Sequence, residues 1–234
     1  MNNDEVNLTN DAYALHRILK TDIKKVPNSE EDEIIFGCGC FWGAEKCFWK
    51  LPGVITTSVG YAGGEKNNPS YYEVCSGLTG HSEVVRVIWD KREIDVSDLL
   101  KMFWECHDPT QKNRQGNDMG TQYRSAIYYK NENNIKTILA SKEQYQTELS
   151  KKNLGLIETE IKMIDSYFYA EQYHQQYLAS AGSRQYCSAS PTKVKLGVFT
   201  GSNYKLEDHI WENFNWEVDK CVLRSDNNPI KNNI

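Results

Sequence analysis

A cysteine set between a glycine and two aromatic residues is the feature of this sequence best suited to chemistry. In "FGCGCFWGAEKCFWK" (36–50), Cys40 falls where the strand-like run "DEIIFG" gives way to apolar residues at helical spacing. At such a junction the sulfur faces unpaired backbone N–H groups and the positive end of the helix dipole. The pattern therefore predicts a nucleophilic Cys40 whose pKa is lowered into a range of roughly 3.5 to 7.5, and a buried, inert cysteine is the competing interpretation.

Two large apolar rings, Phe41 and Trp42, follow that thiol directly. Such rings normally pack inward, yet these two flank a polar turn. We interpret them as the walls of a small pocket that accepts a methyl group. Packing in the core is the competing interpretation, and the sequence alone leaves it open.

An acidic residue stands in an otherwise apolar strand pattern, "SEVVRVIWD" (82–90). Side chains alternate between the two faces of a strand, so Glu83 shares a face with Val85, Val87 and Trp89. Burial on that face would raise the pKa of the Glu83 carboxyl and keep a proton on it near neutral pH. Glu83 is therefore a candidate general acid, and the alternative is a strand-end glutamate that reaches water.

Three further polar residues stand beside glycine-containing turns. Tyr71, in "NPSYYEVC", and Tyr123, in "GTQYRS", are phenolic hydrogen-bond donors, and Asp118 lies in "RQGNDMGTQ". The phenols could equally be amphipathic packing residues, and Asp118 could make a local turn hydrogen bond. In a site, the two phenols would add hydrogen-bond donors to the candidate acid Glu83.

A metal-binding protein, a thiol hydrolase and a binding or scaffold protein are the other functional classes to consider for this sequence. The cysteines form no matched C-x-x-C pairs and no histidine pair has ligand spacing, so we predict no metal site. A thiol hydrolase stays open, with His81, His107 or His174 as its base. A binding or scaffold protein that acts through the aromatic tail stays open too. We expect four cysteines to serve packing: Cys38, Cys47, Cys75 and Cys106.

Length and composition favour one compact domain with short tails. The chain has 234 residues, a net charge of -5 and a pI near 5.6, which leaves no basic surface for nucleic acid or an anionic membrane. Its first residues lack the pattern of a signal or transit peptide. Seven cysteines, an odd number, suit a reducing compartment, so we expect a cytoplasmic protein. We also expect a monomer, and a small molecule or a protein as its partner.

Strand and helix patterns alternate along the chain, which predicts an α+β fold. We expect a helix in "VSDLLKMFWECH" capped by Ser97, an ordered loop over 108–122 and a short helix in "YAEQYHQQYLAS". A strand is expected in "LIETEIKMI". A helix from about Asn131 should place these residues on one face: Ile135, Ile138, Leu139, Tyr145 and Leu149. We divide the chain into an extension (1–30), a catalytic domain (31–192) and a tail from Lys193 (193–234).

Five motifs, in this order, carry a resemblance to a known family: "GCFWGAEKCFW", "SVGYAGG", "PSYYEVCSGLTGHSEVVRV", "HDPTQKNRQGNDMGTQYRSAIYY" and "YAEQYHQQYL". Over residues 33–190, approximately, the chain resembles the A-type peptide methionine sulfoxide reductases. The resemblance implies a two-layer α+β sandwich, with helices packed on a mixed sheet around a split β-α-β, ferredoxin-like core.

The resemblance also implies a reaction and roles for the candidate residues. Methionine-S-sulfoxide, free or in oxidised proteins under repair, would be reduced through a sulfenic acid on Cys40 and a disulfide that thioredoxin recycles. No metal, flavin or nucleotide cofactor is required. By the same resemblance, Glu83 would be the acid at the sulfoxide oxygen, and the phenols of Tyr71 and Tyr123 would be hydrogen-bonded to that oxygen. Phe41 and Trp42 would form the walls around the substrate methyl. Asp118 would help to hold the substrate, and Cys187 would be the resolving thiol.

Two departures from the family pattern concern cysteines. The family often has a recycling cysteine a few residues after the resolving one, but here "CSASPTKVKLG" follows and the next thiol is Cys221. Cys221 is a candidate recycling thiol, although nothing in "WEVDKCVLR" activates its sulfur, and we favour a passive tail. Cys38 stands where the family commonly has a hydrophobic residue.

Overall fold

The computed structural model describes residues 15–130, 132–218 and 220–232. Its strands and helices alternate over most of the chain. The strands are β1 (Glu31–Cys38), β2 (Val54–Ala62), β3 (Ser82–Asp90), β4 (Arg114–Gln115), β5 (Asp118–Met119), β6 (Ser125–Tyr129), β7 (Glu160–Met163) and β8 (Tyr167–Tyr169). The helices are α1 (Phe41–Trp49), α2 (Tyr71–Cys75), α3 (Val96–Cys106), α4 (Ile135–Lys151), α5 (Asp208–Trp211) and α6 (Cys221–Arg224).

Six strands form one mixed sheet in the order β7-β6-β1-β3-β2-β8, and β4 and β5 form a separate two-stranded ribbon. β6 and β7 pair in parallel, and the other pairs of the large sheet are antiparallel. β1 and β2 are both antiparallel to β3 and are joined through α1, so β3 lies between two parallel strands. This is the split β-α-β arrangement, and the predicted α+β class is confirmed.

The main core lies between one face of the sheet and the helices α1 and α3. Val85 and Val87 of β3 are fully buried there with Phe48 of α1 and Phe103 of α3. Phe36 of β1 stacks on both of those rings, at 4.8 and 5.1 Å between centroids. Because β3 presents Glu83 on the same face, the fold carries that carboxyl toward the start of α1.

Two helix starts differ from the sequence-based expectation. α3 is capped by Asp95, not Ser97, because Asp95 Oδ1 accepts hydrogen bonds from both the backbone N–H and the hydroxyl of Ser97. Residues Tyr71–Cys75 form α2, a helix that was not singled out from the sequence. Its start has a capping box in which Glu73 accepts from the backbone N–H of Ser70, a signal present in the sequence as "SYYE".

Helix α4 follows the predicted apolar face only in part. Ile138, Tyr145 and Leu149 are buried, as expected, but Leu139 is 46% exposed. The expected start at Asn131 lies outside the described residues, and the described helix begins at Ile135. The prediction that Leu139 shares the buried face was wrong, because this residue follows Ile138 and lies about 100° further around the helix.

The segment "YAEQYHQQYLAS" is not the α-helix we expected. It forms two short 3-10 turns, Gln172–His174 and Tyr177–Ala179. Gln176 between them has φ 47° and ψ 44°, a left-handed conformation that cannot continue a right-handed helix. The strand expected in "LIETEIKMI" covers only Glu160–Met163, and the edge strand β8 was not anticipated.

Apolar residues of the C-terminal segment, among them Leu196, Phe214 and Val222, belong to the same buried core as α1 and α3. Glu105 of α3 accepts a hydrogen bond from the backbone N–H of Leu196 at 3.0 Å. On α1, the buried ammonium groups of Lys46 and Lys50 donate to backbone carbonyls of residues 225–228. No helix within the described ranges is long and apolar enough to cross a membrane.

Candidate active site

Cys40 occupies the turn that joins β1 to α1. Gly39 has φ 85°, a conformation that favours glycine, and a Cβ there would lie under 3.0 Å from the Gln115 side chain. Cys40 is the N-cap residue of α1, and its side chain is 8% exposed. The Cys40 side chain makes no capping hydrogen bond to the start of the helix. The sequence-based location at a strand-to-helix junction is therefore confirmed.

The predicted acidity of this thiol is wrong. Burial raises the pKa of the Cys40 thiol well above its usual range, and the neighbouring Glu83 raises it further. The N–H of Trp42 acts in the opposite direction but is outweighed. Desolvation disfavours the charged form, and it exceeds the effect of the helix N-terminus here. The resting site therefore holds a thiol, and its proton must leave during any nucleophilic attack.

Glu83 lies within reach of the same turn. Its side chain is buried on β3, opposite Tyr61, and it accepts a hydrogen bond from the backbone N–H of Phe41 at 3.2 Å. Burial raises the pKa of Glu83 to about 8, and Asp118 contributes in the same direction. The predicted face and the predicted direction of the pKa shift are both confirmed. At neutral pH this carboxyl holds a proton.

An open pocket of about 480 Å³ brings most of the sequence-predicted residues together. It is lined by Cys40, Phe41, Trp42, Tyr71, Glu83, Asp118 and Tyr123. Three further lining residues had not been singled out from the sequence: Tyr177, Arg184 and Tyr186. They come from the two segments around "YHQQYL" and "SRQYC", whose approach to α1 depends on tertiary packing. Cys187 and Cys221 are not among the residues that line this pocket.

The indole of Trp42 is held in place on two sides. Its ring stacks on Tyr177 at 3.8 Å between centroids and 13° between planes. Its Nε1–H donates to Nδ1 of His174 at 3.1 Å. Burial lowers the pKa of His174 to about 4, so the imidazole stays neutral and its Nδ1 can accept. The ring of Phe41 lies 5.1 Å from His174, which completes an apolar wall.

Tyr71 approaches the pocket from α2. Its backbone N–H donates to one carboxylate oxygen of Glu171, and the hydroxyl of Tyr61 donates to the other, both at 2.8 Å. Burial raises the pKa of Tyr71 and of Tyr123, so both phenols keep their protons and can act as donors.

Asp118 reaches the pocket from the two-stranded ribbon. Its Oδ1 accepts a hydrogen bond from the hydroxyl of Tyr186 at 2.6 Å. Tyr186 directly precedes Cys187, so this bond ties the ribbon to the segment that carries the second thiol. Asp118 therefore bonds to a residue 68 positions away in the sequence, whereas the alternative interpretation was a hydrogen bond within its own turn.

The three histidines that could serve a thiol hydrolase have other partners. His81 donates from Nε2 to the carbonyl of Lys66, and its Nδ1 accepts from the N–H of Gly64. His107 donates from Nδ1 to the carbonyl of Phe103, and its Nε2 accepts from a serine hydroxyl. His174 bonds to the indole described above. The structure thus gives each imidazole a structural contact in place of a bond to the Cys40 thiol.

A second thiol lies behind α1. Cys187 is 4% exposed, and burial raises its pKa to about 12. It lines a small cavity of about 20 Å³ together with four other cysteines: Cys38, Cys47, Cys106 and Cys221. Each of the seven cysteines, all of which lie in the described ranges, is a free thiol. Cys221, from the C-terminal segment, is partly exposed.

Three of these core groups lie close enough to suggest a metal site. Ligand atoms of Cys38, Cys106 and His107 fall within 4.8 Å of one another. Both nitrogens of His107 already hold hydrogen bonds, however, and the Cys106 thiol donates to the carbonyl of Phe103 at 3.5 Å. The neighbouring Cys38 and burial raise the pKa of Cys106 well above its usual range, and a protonated thiol fits packing better than ligation, which requires a thiolate.

A buried thiol next to a protonated carboxyl, in a pocket with aromatic walls and a second thiol nearby, defines a thiol-dependent oxidoreductase. The family model described as "Peptide methionine sulfoxide reductase" matches residues 32–204. The peptide methionine sulfoxide reductase MsrA of Vibrio vulnificus is 52% identical over 180 residues, which cover 77% of this chain and 86% of that protein. The corresponding protein of Azotobacter vinelandii is 56% identical over 164 residues, 70% of this chain and 76% of that protein.

A solved structure agrees with the sequence comparison. Methionine sulfoxide reductase A of Corynebacterium diphtheriae superposes with a TM-score of 0.67 at 38% sequence identity, covering 82% of this chain and 99% of that one. This chain belongs to the peptide methionine sulfoxide reductase family. It is an oxidoreductase that reduces oxidised methionine.

Proposed function

We propose that this enzyme reduces methionine-S-sulfoxide, free or in proteins, with Cys40 as the nucleophile and Glu83 as the acid. One observation carries the proposal. Cys40 and Glu83 line the same pocket, and the backbone N–H that follows Cys40 donates to the Glu83 carboxyl. Both groups are protonated at neutral pH because both are buried. A neutral pair suits a neutral, polar substrate such as a sulfoxide.

The first step is a transfer of oxygen from the substrate to the enzyme. Glu83 gives its proton to the sulfoxide oxygen, the Cys40 sulfur attacks the sulfoxide sulfur, and Glu83 regains a proton from the Cys40 thiol. The bond between the two sulfurs and the S–O bond of the substrate then break, the hydroxyl passes to the Cys40 sulfur, methionine leaves, and Cys40 becomes a sulfenic acid. The substrate sulfur gains the two electrons that the Cys40 sulfur loses. Tyr71 and Tyr123 donate to the oxygen during this change, and Asp118 holds the substrate.

The apolar wall gives the first prediction. Trp42→Ala should raise KM and lower kcat, because the substrate methyl loses an apolar contact worth about 1 kcal/mol or more, roughly fivefold in kcat/KM. Steady-state kinetics with dithiothreitol as reductant measures the effect. Trp211→Ala, in α5 and outside the pocket, is the matched control. Unchanged constants for Trp42→Ala would return this ring to a packing role.

The second half of the cycle requires another thiol. We assign Cys187 as the resolving thiol, which attacks the sulfenic acid of Cys40, forms a disulfide and releases water. Support comes from its position against α1 and from its electrostatic influence on the Cys40 thiol. Cys187 is almost inaccessible, so an external protein dithiol would have difficulty in reaching that disulfide.

The C-terminal segment carries a thiol, Cys221, that is more accessible to an external protein dithiol than Cys187 is. Cys221 lines the same small cavity as Cys187, and it is partly exposed. We therefore propose that the Cys221 thiol attacks the Cys187 sulfur of the Cys40–Cys187 disulfide and releases the Cys40 thiol. The new disulfide between Cys187 and Cys221 is the one that thioredoxin reduces. The passive tail favoured by the sequence rested on local residues only, and the shared cavity supports the recycling role instead. Exchange proceeds through a thiolate of Cys221, whose pKa is raised by burial to about 12 in the resting form.

Cys221→Ser tests this role. The variant should release one methionine per enzyme in a single turnover and keep its rate with dithiothreitol, a small reductant. With thioredoxin it should recycle more slowly, on the order of tenfold or more, because the accessible sulfur is missing. Comparing the two reductants within one preparation controls for damage to the fold. An unchanged thioredoxin rate would show that the tail is passive.

The proposed substrate is tested with the separate S and R epimers of a methionine sulfoxide substrate and dithiothreitol. Reduction of the S epimer alone is the expected result, and reduction of neither would sink the assignment. The histidine variants at positions 81, 107 and 174 give the corresponding test of a thiol hydrolase. Undiminished turnover in all three removes that alternative.

The proposal extends to organisation and location. Residues 31–192 form the catalytic domain, 1–30 an extension, and 193–234 a tail that supplies Cys221. The seven free thiols favour a reducing compartment, and we propose the cytoplasm. The enzyme acts as a monomer without a metal, flavin or nucleotide.

A further inference from the structure

A glycine in α1 touches the second thiol. Gly43 is the third residue of α1, and a Cβ built on it would lie under 3.0 Å from the Cys187 Sγ and 3.2 Å from the Cys187 Cβ. Glycine destabilises a helix interior relative to alanine. Gly43 has ordinary helical geometry and no left-handed φ that would require glycine. The backbone therefore does not explain this glycine, whereas the contact with Cys187 does.

We propose that Gly43 is a positioning residue for disulfide formation. Its missing side chain leaves a notch on α1, and the Cys187 sulfur rests in that notch. Residues three apart on a helix are neighbours on the same face, so the notch lies one turn from Cys40. The Cys187 thiol also raises the pKa of Cys40, which places the two sulfurs within electrostatic range. The enzyme thus holds its second thiol against α1, one turn from the first, before the substrate arrives.

The notch matters for one chemical step, and this inference rests on the proposed role of Cys187. The Cys187 sulfur attacks the sulfenic sulfur of Cys40, the S–S bond forms, and the S–O bond breaks. The Cys187 proton and the hydroxyl leave together as water. The electron pair of the Cys187 sulfur forms the S–S bond, so the sulfenic sulfur is reduced and the Cys187 sulfur is oxidised. A thiol held in contact with α1 loses less freedom on reaching the geometry of attack than a thiol on a free segment.

Gly43→Ala is the direct test. Alanine favours the helix, so α1 should form, but its Cβ would displace the Cys187 sulfur. In a single turnover without reductant, the variant should still release one methionine per enzyme. Disulfide formation should slow by at least about tenfold, because overpacking shifts the attacking sulfur. A dimedone-type probe should trap a longer-lived sulfenic acid. Alkylation followed by mass spectrometry measures the disulfide.

Gly155→Ala is the matched control, since a Cβ there would lie 3.5 Å from Thr110, an ordinary contact. It should form the disulfide at the wild-type rate. An unchanged disulfide rate in Gly43→Ala would overturn the inference. Equal losses in methionine release and disulfide formation would overturn it too, because they would indicate general damage to α1 rather than a role in resolution.

A second pair of variants separates this inference from the assignment of Cys187. Gly43→Ala should lower the melting temperature more in the wild-type background than in the Cys187→Ala background, where the sulfur is absent and only the 3.2 Å contact with the Cβ remains. Persistence of the full loss with Cys187→Ala would contradict the proposed contact with the sulfur. If Cys187→Ser alone turned over normally with thioredoxin, the resolving assignment would fail, while the melting comparison would still report on the notch.

Discussion

Replacing Cys40 with serine should abolish methionine release, whereas replacing Cys187 with serine should preserve one release per enzyme and stop the cycle there. The two sulfurs act in successive steps, and only the first step touches the substrate. Serine keeps the size of each side chain but cannot form a sulfenic acid or a disulfide. Single-turnover assays and thioredoxin-coupled assays on both variants measure the two halves separately.

The intermediates identify which step has failed. Cys187→Ser should accumulate a sulfenic acid on Cys40 that a dimedone-type probe labels, and Cys40→Ser should show no label after exposure to substrate. Cys38→Ser, at a buried thiol outside the pocket, serves as a control and should keep both activities. Full thioredoxin-dependent turnover in Cys187→Ser would overturn the resolving assignment, and methionine release by Cys40→Ser would overturn the nucleophile.

The sequence predicted the active-site strand and turn because local periodicity determines them. Alternation along "SEVVRVIWD" was sufficient to place Glu83 on the apolar face, and the junction after "DEIIFG" was sufficient to place Cys40 at the start of a helix. The pKa of Cys40 was predicted in the wrong direction because it depends on burial by distant segments. Local dipoles can be read from a sequence, but the desolvation that opposes them is a property of the packed molecule.

Long-range contacts account for most of the remaining differences. The bond between Trp42 and His174 spans 132 positions, and the one between Lys46 and the carbonyl of residue 225 spans 179. No local pattern near Cys221 indicates that it reaches the cavity of Cys187. The capping of α3 is a different case. Asp95 and Ser97 are both good N-cap residues two positions apart, and helix geometry decides between them.

Glu83→Ala should lower the rate of sulfoxide reduction by about a hundredfold to ten-thousandfold, the usual contribution of general acid catalysis. Glu83→Gln should retain part of this rate, because an amide can donate a hydrogen bond to the sulfoxide oxygen but cannot transfer a proton. Circular dichroism and thermal unfolding show whether each variant folds. Equal activity of wild type and both variants would be evidence against the acid.

The pH dependence gives a sharper signature of the same residue. The carboxyl acts in its protonated form, and burial raises its pKa to about 8, so activity should be level below that pH and fall above it. Glu83→Gln has no proton to lose and should lack this decline. Asp98→Asn removes another buried carboxyl, whose pKa is raised to about 6 beside the C-terminal segment, and should keep the decline. If activity still declined near pH 8 in Glu83→Gln, the decline would come from a different group. Glu83 would then accept the hydrogen bond from the turn but would not transfer a proton to the substrate.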